Sequence, residues 1–298
     1  MKYLILILLF LGSHAVRLCG QTILPTPDYL EKANGQLQLQ GKIRMHAQDA
    51  SASFLHLFYE KLIPKSAVEW CSEKGHSQIS WEKDATLPAE GYRILVTPEK
   101  MTVRAADNAG FIYAVQSLRQ WGTREGDKLI FPCAEITDFP RVKWRSFMLD
   151  SGRQYQKVST IKKYIDMASM LKMNYFHWHL TEGLGWRIEI KRYPLLTRIG
   201  AFVGQGPEQQ GFYSQEEVKE IVSYAADLGI TVVPEIDMPG HAEAALNSYP
   251  RLGCFNIPVK VPQSGFTQNI FCAGKDSTLT FLQNVLDEVC RMFPSAYI

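Results

Sequence analysis

With 298 residues, 46% of them hydrophobic, the chain can bury a sizeable core and has room for two domains. Thirty-two basic residues face 30 acidic ones for a net charge of +2; with no run of either sign, this argues against a nucleic-acid partner or a basic membrane-binding surface. The six cysteines are too widely spaced for a disulfide scaffold or a zinc-ligand pattern.

Residues 1–20 read as a secretory signal, with Lys2, an apolar run from Tyr3 to Gly12, then small and polar residues up to a cleavage point near Gly20-Gln21. That run is too short for a membrane span and no later segment would cross one, so the expected location is secreted or periplasmic. Cys19 follows Val16-Arg17-Leu18, which lacks the small residues that lipoprotein processing prefers, and lipidation is not expected.

Residues 21–138 have the pattern of a small α+β domain. Leu37, Leu39, Ile43 and Met45 alternate as strands, Ser51–Leu62 and Gly110–Trp121 have helical spacing, and Tyr92–Val96 with Met101–Ala105 flank a Thr97-Pro98-Glu99-Lys100 turn as a hairpin. Ile136-Thr137-Asp138-Phe139-Pro140 reads as the connector to a second domain, residues 139–298.

The second domain repeats strand and helix. In Arg145–Asp150, Phe147 and Leu149 oppose Ser146, Met148 and Asp150; in Tyr175–Leu180, Phe176, Trp178 and Leu180 oppose Tyr175, His177 and His179; in Thr231–Asp237, Val232, Pro234 and Ile236 oppose Val233, Glu235 and Asp237. Helical patterns separate them at Ser159–Leu171 and Ser214–Leu228, the second opening with a Ser214/Glu217 capping box and stopping at Gly229. Carboxylates and histidines at the carboxyl ends of successive strands, without a Gly-x-Gly-x-x-Gly turn, point to an α/β fold of the (β/α)8 TIM-barrel kind. Three strands and the edge of a fourth make only about the first half of such a barrel. Cys254 and Cys272 bracket one loop-like stretch and can pair in an oxidising compartment; Cys290 lies on an apolar helix face and reads as a core residue.

Five ordered blocks in this half resemble the catalytic barrel of glycoside hydrolase family 20, the β-N-acetylhexosaminidases. They are Asp138–Arg141, Met148–Arg153, His177–Thr181, Gly185–Ile190 and Val233–His241. Residues before Asp138, with Glu90-Gly91-Tyr92-Arg93, resemble that family's accessory domain. The resemblance implies removal of terminal β-linked N-acetylglucosamine or N-acetylgalactosamine from glycans, without cofactor or metal. The substrate's own acetamido carbonyl acts as nucleophile, and an adjacent Asp-Glu pair orients that group and protonates the leaving oxygen. It further implies that Arg153 grips sugar hydroxyls, that His241 supports the acid, and that Glu182 is the acidic residue linked to that histidine.

Arg153, His179 and Asp237 form the expected sugar-binding set, with a structural network of Asp150, Glu235 and Asp237 as the alternative. His177 reads as a hydrogen-bonded core histidine and Trp186 as loop packing. A competing chemistry is a metal-dependent amidohydrolase, in which His177, His179, Asp237 and His241 hold zinc; the Gly-Trp-Arg and Pro-Gly-His blocks have no part in it.

Two departures from the family pattern stand out. Glu182-Gly183-Leu184 replaces the usual Asp-Asp-Gln, and no Gly-Gly-Asp-Glu block with the catalytic pair is present. Asp287-Glu288-Val289 imitates that block, yet it sits in a helical pattern from Thr278 to Met292, with Leu279, Leu282, Val285, Leu286 and Val289 apolar, and reads as a solvated helix face. The expectation is a truncated product or fragment, either of a working hexosaminidase or as a non-catalytic remnant that binds sugar weakly.

Overall fold

The computed structural model describes residues 22–48, 53–204, 206–207, 210–261 and 269–298. The signal segment, Cys19 and the first two residues of the expected Ser51–Leu62 helix lie outside the described residues.

The first layer is a mixed sheet. Its strands are β1 (Tyr29–Leu39), β2 (Ile43–Ala47), β3 (Val68–Trp70), β4 (Ile79–Lys83), β5 (Tyr92–Val96), β6 (Met101–Ala105), β7 (Thr123–Glu125) and β8 (Lys128–Asp138), in the order β1-β8-β5-β6-β4-β2-β3, with β7 beside β8. The β5–β6 hairpin pairs as its turn residues predict. Two helices, α1 (Phe54–Lys61) and α2 (Asn108–Trp121), join this layer. Phe54 and Phe58 pack on Trp81 with ring centroids 4.8 and 5.2 Å apart. The Asp107 carboxylate accepts from the Gly110 amide at 2.9 Å and starts α2.

The connector is shorter than the turn residues suggest. Ile136, Thr137 and Asp138 pair with Ile94, Arg93 and Tyr92 as the end of β8, because Ile136 is fully buried and strand pairing satisfies its backbone. Only Phe139-Pro140 leaves the sheet.

The second layer holds three parallel strands, β9 (Ser146–Asp150), β10 (Tyr175–His179) and β13 (Thr231–Glu235), with β10 in the middle. Two-residue strands β11 (Thr181–Glu182) and β12 (Gly185–Trp186) form a small hairpin after β10. The helices are α3 (Val158–Met170), α4 (Leu195–Arg198), α5 (Gln215–Asp227), α6 (Glu243–Ser248) and α7 (Asp276–Met292). The Ser214/Glu217 capping box is present in full at the start of α5. The apolar strand face packs under helices: Phe176 and Trp178 are fully buried, and Phe147 stacks on Phe176 at 4.7 Å. The opposite face is open. Met148 is 55% exposed, and a groove of about 610 Å³ runs along Trp144, His177, Val233, Ile236, Leu286 and Cys290. The fold is α/β, and no helix among the described residues is long and apolar enough to cross a membrane.

The two layers meet through buried polar contacts. Lys172 donates to Asp138 at 2.7 Å and to Tyr92 at 2.8 Å, Gln116 to Ser169 at 2.7 Å, and Arg145 to Tyr113 at 2.8 Å.

Helix α7 differs from its sequence pattern in three ways. Its buried stripe is Thr278, Phe281, Val285, Val289 and Met292, while Leu279 is exposed. Cys290 is exposed rather than in the core. Asp287 is solvated, but the Glu288 carboxylate accepts from the Lys191 and Arg192 amides at 2.8 and 3.0 Å and from the Gln215 side chain at 2.8 Å. Glu288 thereby ties the loop after β12 to α5.

Candidate active site

The carboxyl ends of the three parallel strands supply the site. Pairing aligns Asp150, His179 and Glu235 across β9, β10 and β13, so the parallel register alone gathers three polar side chains at one end of the sheet. Asp237 and His241 follow β13 in the loop, and Arg153 follows β9.

Asp150 organises the turn after β9. Its carboxylate accepts from the Arg153 amide at 2.8 Å and from the Arg153 guanidinium at 2.5 Å. The other guanidinium nitrogen meets Glu182. The Arg153 side chain is nevertheless 49% exposed, so part of its donor fork faces out of the site. Burial disfavours its charge, but the Asp150 hydrogen bond and the Glu182 and Asp237 charges raise its pKa above the ordinary arginine value.

Glu182 is buried, and the same Oε1 that meets Arg153 lies 2.5 Å from His241 Nδ1. An ionised carboxylate only accepts, so Nδ1 carries the proton and Nε2 is left as the basic nitrogen. His241 has a backbone φ of 50°, a left-handed conformation that few non-glycine residues adopt and that recurs at functional sites.

A second network lies behind. His179 donates from Nδ1 to Glu235 at 2.9 Å, and His177 Nε2 meets the other Glu235 oxygen at 2.5 Å. His179 Nε2 is buried without a hydrogen-bond partner, 3.9 Å from both Asp150 and Asp237. Burial pushes the Glu235 carboxyl up, but the hydrogen bond and charge of His179 outweigh it and hold Glu235 below the usual glutamate value. Asp237 is raised above the usual aspartate value by burial and by its hydrogen bond to Glu235. Exposure reverses the sequence-based order of the histidines: the His177 side chain is 40% exposed and that of His179 only 5%. The strand is short and ends beneath the Asp150 turn, which roofs His179. Trp186 is buried and donates to the Ile188 carbonyl at 2.8 Å, as loop packing requires.

His179, Glu235 and Asp237 are the one group among the described residues whose geometry would admit a metal ion, their ligand atoms lying within 4.8 Å. Both Glu235 oxygens and His179 Nδ1 are already engaged with each other and with His177, and His241 is turned to Glu182. The four ligands of the amidohydrolase arrangement are not brought together.

Arg187 escaped the sequence analysis, although its Gly-Trp-Arg block was prominent. It is fully buried and donates to the carbonyls of Ser151, Gly152, Leu184, Ala201 and Gly211 at 2.7–3.3 Å. Burial lowers its pKa to about 10. With Trp178 and Tyr213, which both hydrogen-bond Ser151, it fixes the turn that aims Arg153. Two glycines permit the close approach. A Cβ on Gly152 would lie 2.8 Å from Glu182 and 2.9 Å from His179, and one on Gly183 would lie 2.5 Å from the Glu243 carboxylate.

Comparisons with known proteins agree with this geometry. The family model described as glycosyl hydrolase family 20, catalytic domain, matches residues 142–298, and that of glycosyl hydrolase family 20, domain 2, matches residues 20–139. The β-hexosaminidase of Porphyromonas gingivalis is 38% identical over 297 residues, covering 93% of this chain and 38% of the relative. That of Vibrio furnissii is 33% identical, covering 93% and 48%. Among solved structures, β-N-acetylhexosaminidase from Bacteroides fragilis superposes with a TM-score of 0.89 at 80% identity, over 94% of this chain and 56% of that one. A Streptomyces plicatus β-hexosaminidase mutant in complex with the product GlcNAc gives 0.82 at 31% identity, over 92% and 57%. The chain thus spans about half, or less, of the length of these relatives.

Proposed function

Since the chain belongs to glycosyl hydrolase family 20, with family matches over residues 20–139 and 142–298, we propose that its site serves hydrolysis of terminal β-linked N-acetylhexosamine by a substrate-assisted retaining route. The observation that carries this reading is Glu182, held between Arg153 and His241 at the strand ends. Arg153 presents its exposed donors to vicinal sugar hydroxyls, Asp150 and Glu182 hold the guanidinium in place, and Asp237 borders the same pocket. Glu182 fixes the His241 tautomer and leaves Nε2 as the accepting nitrogen, which supports the general acid. His179, buried beneath Asp150, acts on the pocket through Asp150, Glu235 and Asp237.

Residues 139–298 are then the first half of a (β/α)8 barrel and residues 21–138 its accessory α+β domain. The open groove beside β9, β10 and β13 is the inner face of that barrel. The signal pattern of residues 1–20 supports a location outside the cytoplasm, secreted or periplasmic.

Residues 1–298 contain no Gly-Gly-Asp-Glu block, so the polypeptide of these residues supplies the terminal-sugar contacts and the support for the acid, without the acid. Purified as such, it should show no turnover of a chromogenic N-acetylglucosaminide above background. Joined to the corresponding remainder of the 80%-identical Bacteroides fragilis protein, it should hydrolyse that substrate. Turnover by the 298-residue polypeptide itself, or an inactive but folded chimaera, would refute the reading.

A further inference from the structure

Nothing in the hexosaminidase reading uses the cysteines, and two of them meet. The segment between Cys254 and Cys272 starts and ends at the same place: the Cys272 amide donates to the Leu252 carbonyl at 2.9 Å. Lys275 closes the junction, donating to Gly253 at 2.5 Å and Asn256 at 2.8 Å, and Thr278 of α7 bonds the Leu252 carbonyl at 3.2 Å. The two thiols face each other closely enough that each shifts the pKa of the other, Cys254 up and Cys272 down. Cys254 is exposed and Cys272 buried. One residue before Cys272, the Phe271 amide donates to the Pro239 carbonyl at 2.9 Å, in the loop that carries Asp237 and His241.

We propose that Cys254 and Cys272 are a disulfide site whose oxidation closes the intervening segment into a covalent loop anchored beside the active-site loop. This goes beyond the hexosaminidase reading and does not rest on it.

The chemistry is thiol–disulfide exchange with a low-molecular-weight disulfide such as oxidised glutathione. The exposed Cys254 thiolate attacks it, forming a mixed disulfide and releasing one small thiolate. Cys272 then attacks the Cys254 sulfur; the protein S–S bond forms, and the second small thiolate leaves and takes up a proton. Two protein thiols are oxidised as one external disulfide is reduced to two thiols. The contact between the thiols raises Cys254 and lowers Cys272 from their ordinary pKa values, the Gly274 amide also holding Cys272 down, so the Cys254 proton passes to Cys272 as Cys254 attacks and leaves with the second small thiolate. The remaining described cysteines do not compete: Cys133 is buried in the other layer, Cys71 contacts the His76 carbonyl, and Cys290 lies on α7.

The test is peptide mapping of the 298-residue protein after exposure to oxidised glutathione, with free thiols alkylated under denaturing conditions. A Cys254–Cys272 linked peptide pair should appear, lighter by two hydrogens than its reduced parts and abolished by dithiothreitol, while Cys71, Cys133 and Cys290 are alkylated. Recovery of both Cys254 and Cys272 as alkylated thiols, or of Cys254 bonded to Cys290 or to another chain, would overturn the proposal. Melting gives an independent check. Oxidised protein should melt roughly 5–10 °C above reduced protein, and a Cys254→Ser/Cys272→Ser variant should show no redox-dependent shift; the same shift in the variant would count against the bridge.

Discussion

Glycine at position 152 lets the turn after β9 lie against Glu182 and His179, which brings Arg153 and Glu182 together. Gly152→Ala should cost about 1–3 kcal/mol by overpacking, read as a lower denaturant midpoint. Arg187 beneath that turn is a buried cation whose hydrogen-bond partners among the described residues are carbonyl oxygens, so Arg187→Met should destabilise by on the order of 3 kcal/mol, whereas an exposed arginine such as Arg141 should tolerate the same change. Glu243 gives the pH dependence. Burial and the Glu182 charge raise its pKa above the ordinary value of 4.5, so its protonated form is the one the fold favours. Its contribution is fully present below about pH 4.5 and is lost as pH rises through the higher folded-state value. Glu243→Gln should therefore stabilise the protein at neutral pH and have little effect at pH 4, in paired thermal melts. An equal effect at both would show that the carboxyl does not titrate there. The histidines, the strand-end carboxylates and Arg153 were legible as a set because strand alternation and the family motifs coincide on them. Which histidine is buried was not, since that depends on how the Asp150 turn folds over the strand end. Arg187 was hidden for a related reason: its partners are backbone carbonyls, which leave no mark on a sequence.

Among the elements, the helix capped by Ser214 and the hairpin of β5 and β6 follow from local chemistry, a capping box and a turn between alternating runs, and were readable. The end of β8 was not, because Ile136–Asp138 become strand only through pairing with β5, a long-range partner. Helix α7 shows the same limit. Its periodicity marked a helix but gave a stripe shifted from the observed one, since Leu279 finds no covering element among the described residues and Thr278 finds the Leu252 carbonyl. Glu288 looked like a solvated acid and instead receives two backbone amides. Glu288→Ala should cost about 1–3 kcal/mol and speed amide exchange at Lys191 and Arg192, while Asp287→Ala should be close to neutral. Equal, negligible effects of the two would remove the clamp.

Across the whole molecule, β9 and β13 have free edges among the described residues, Met148 is exposed, and the groove between the strands and α7 is lined by Trp144, Val233 and Ile236. Such a surface binds dye or self-associates, so the 298-residue polypeptide should bind a hydrophobic fluorophore or oligomerise; a dye-silent monomer with one sharp transition would argue for a self-contained open sheet. The central claim is that the strand ends form the terminal-sugar half of a hexosaminidase site. Steady-state kinetics of the chimaera with the Bacteroides fragilis remainder, before and after exhaustive chelation, address it most directly. Arg153→Ala should lower kcat/KM by roughly 10–150-fold, the equivalent of about 1.5–3 kcal/mol, chiefly through KM. His241→Ala should lower kcat and reshape the pH profile, and chelation should change nothing. Activity that vanishes with the chelator and returns with stoichiometric zinc, with Arg153→Ala indistinguishable from the parent, would contradict the account.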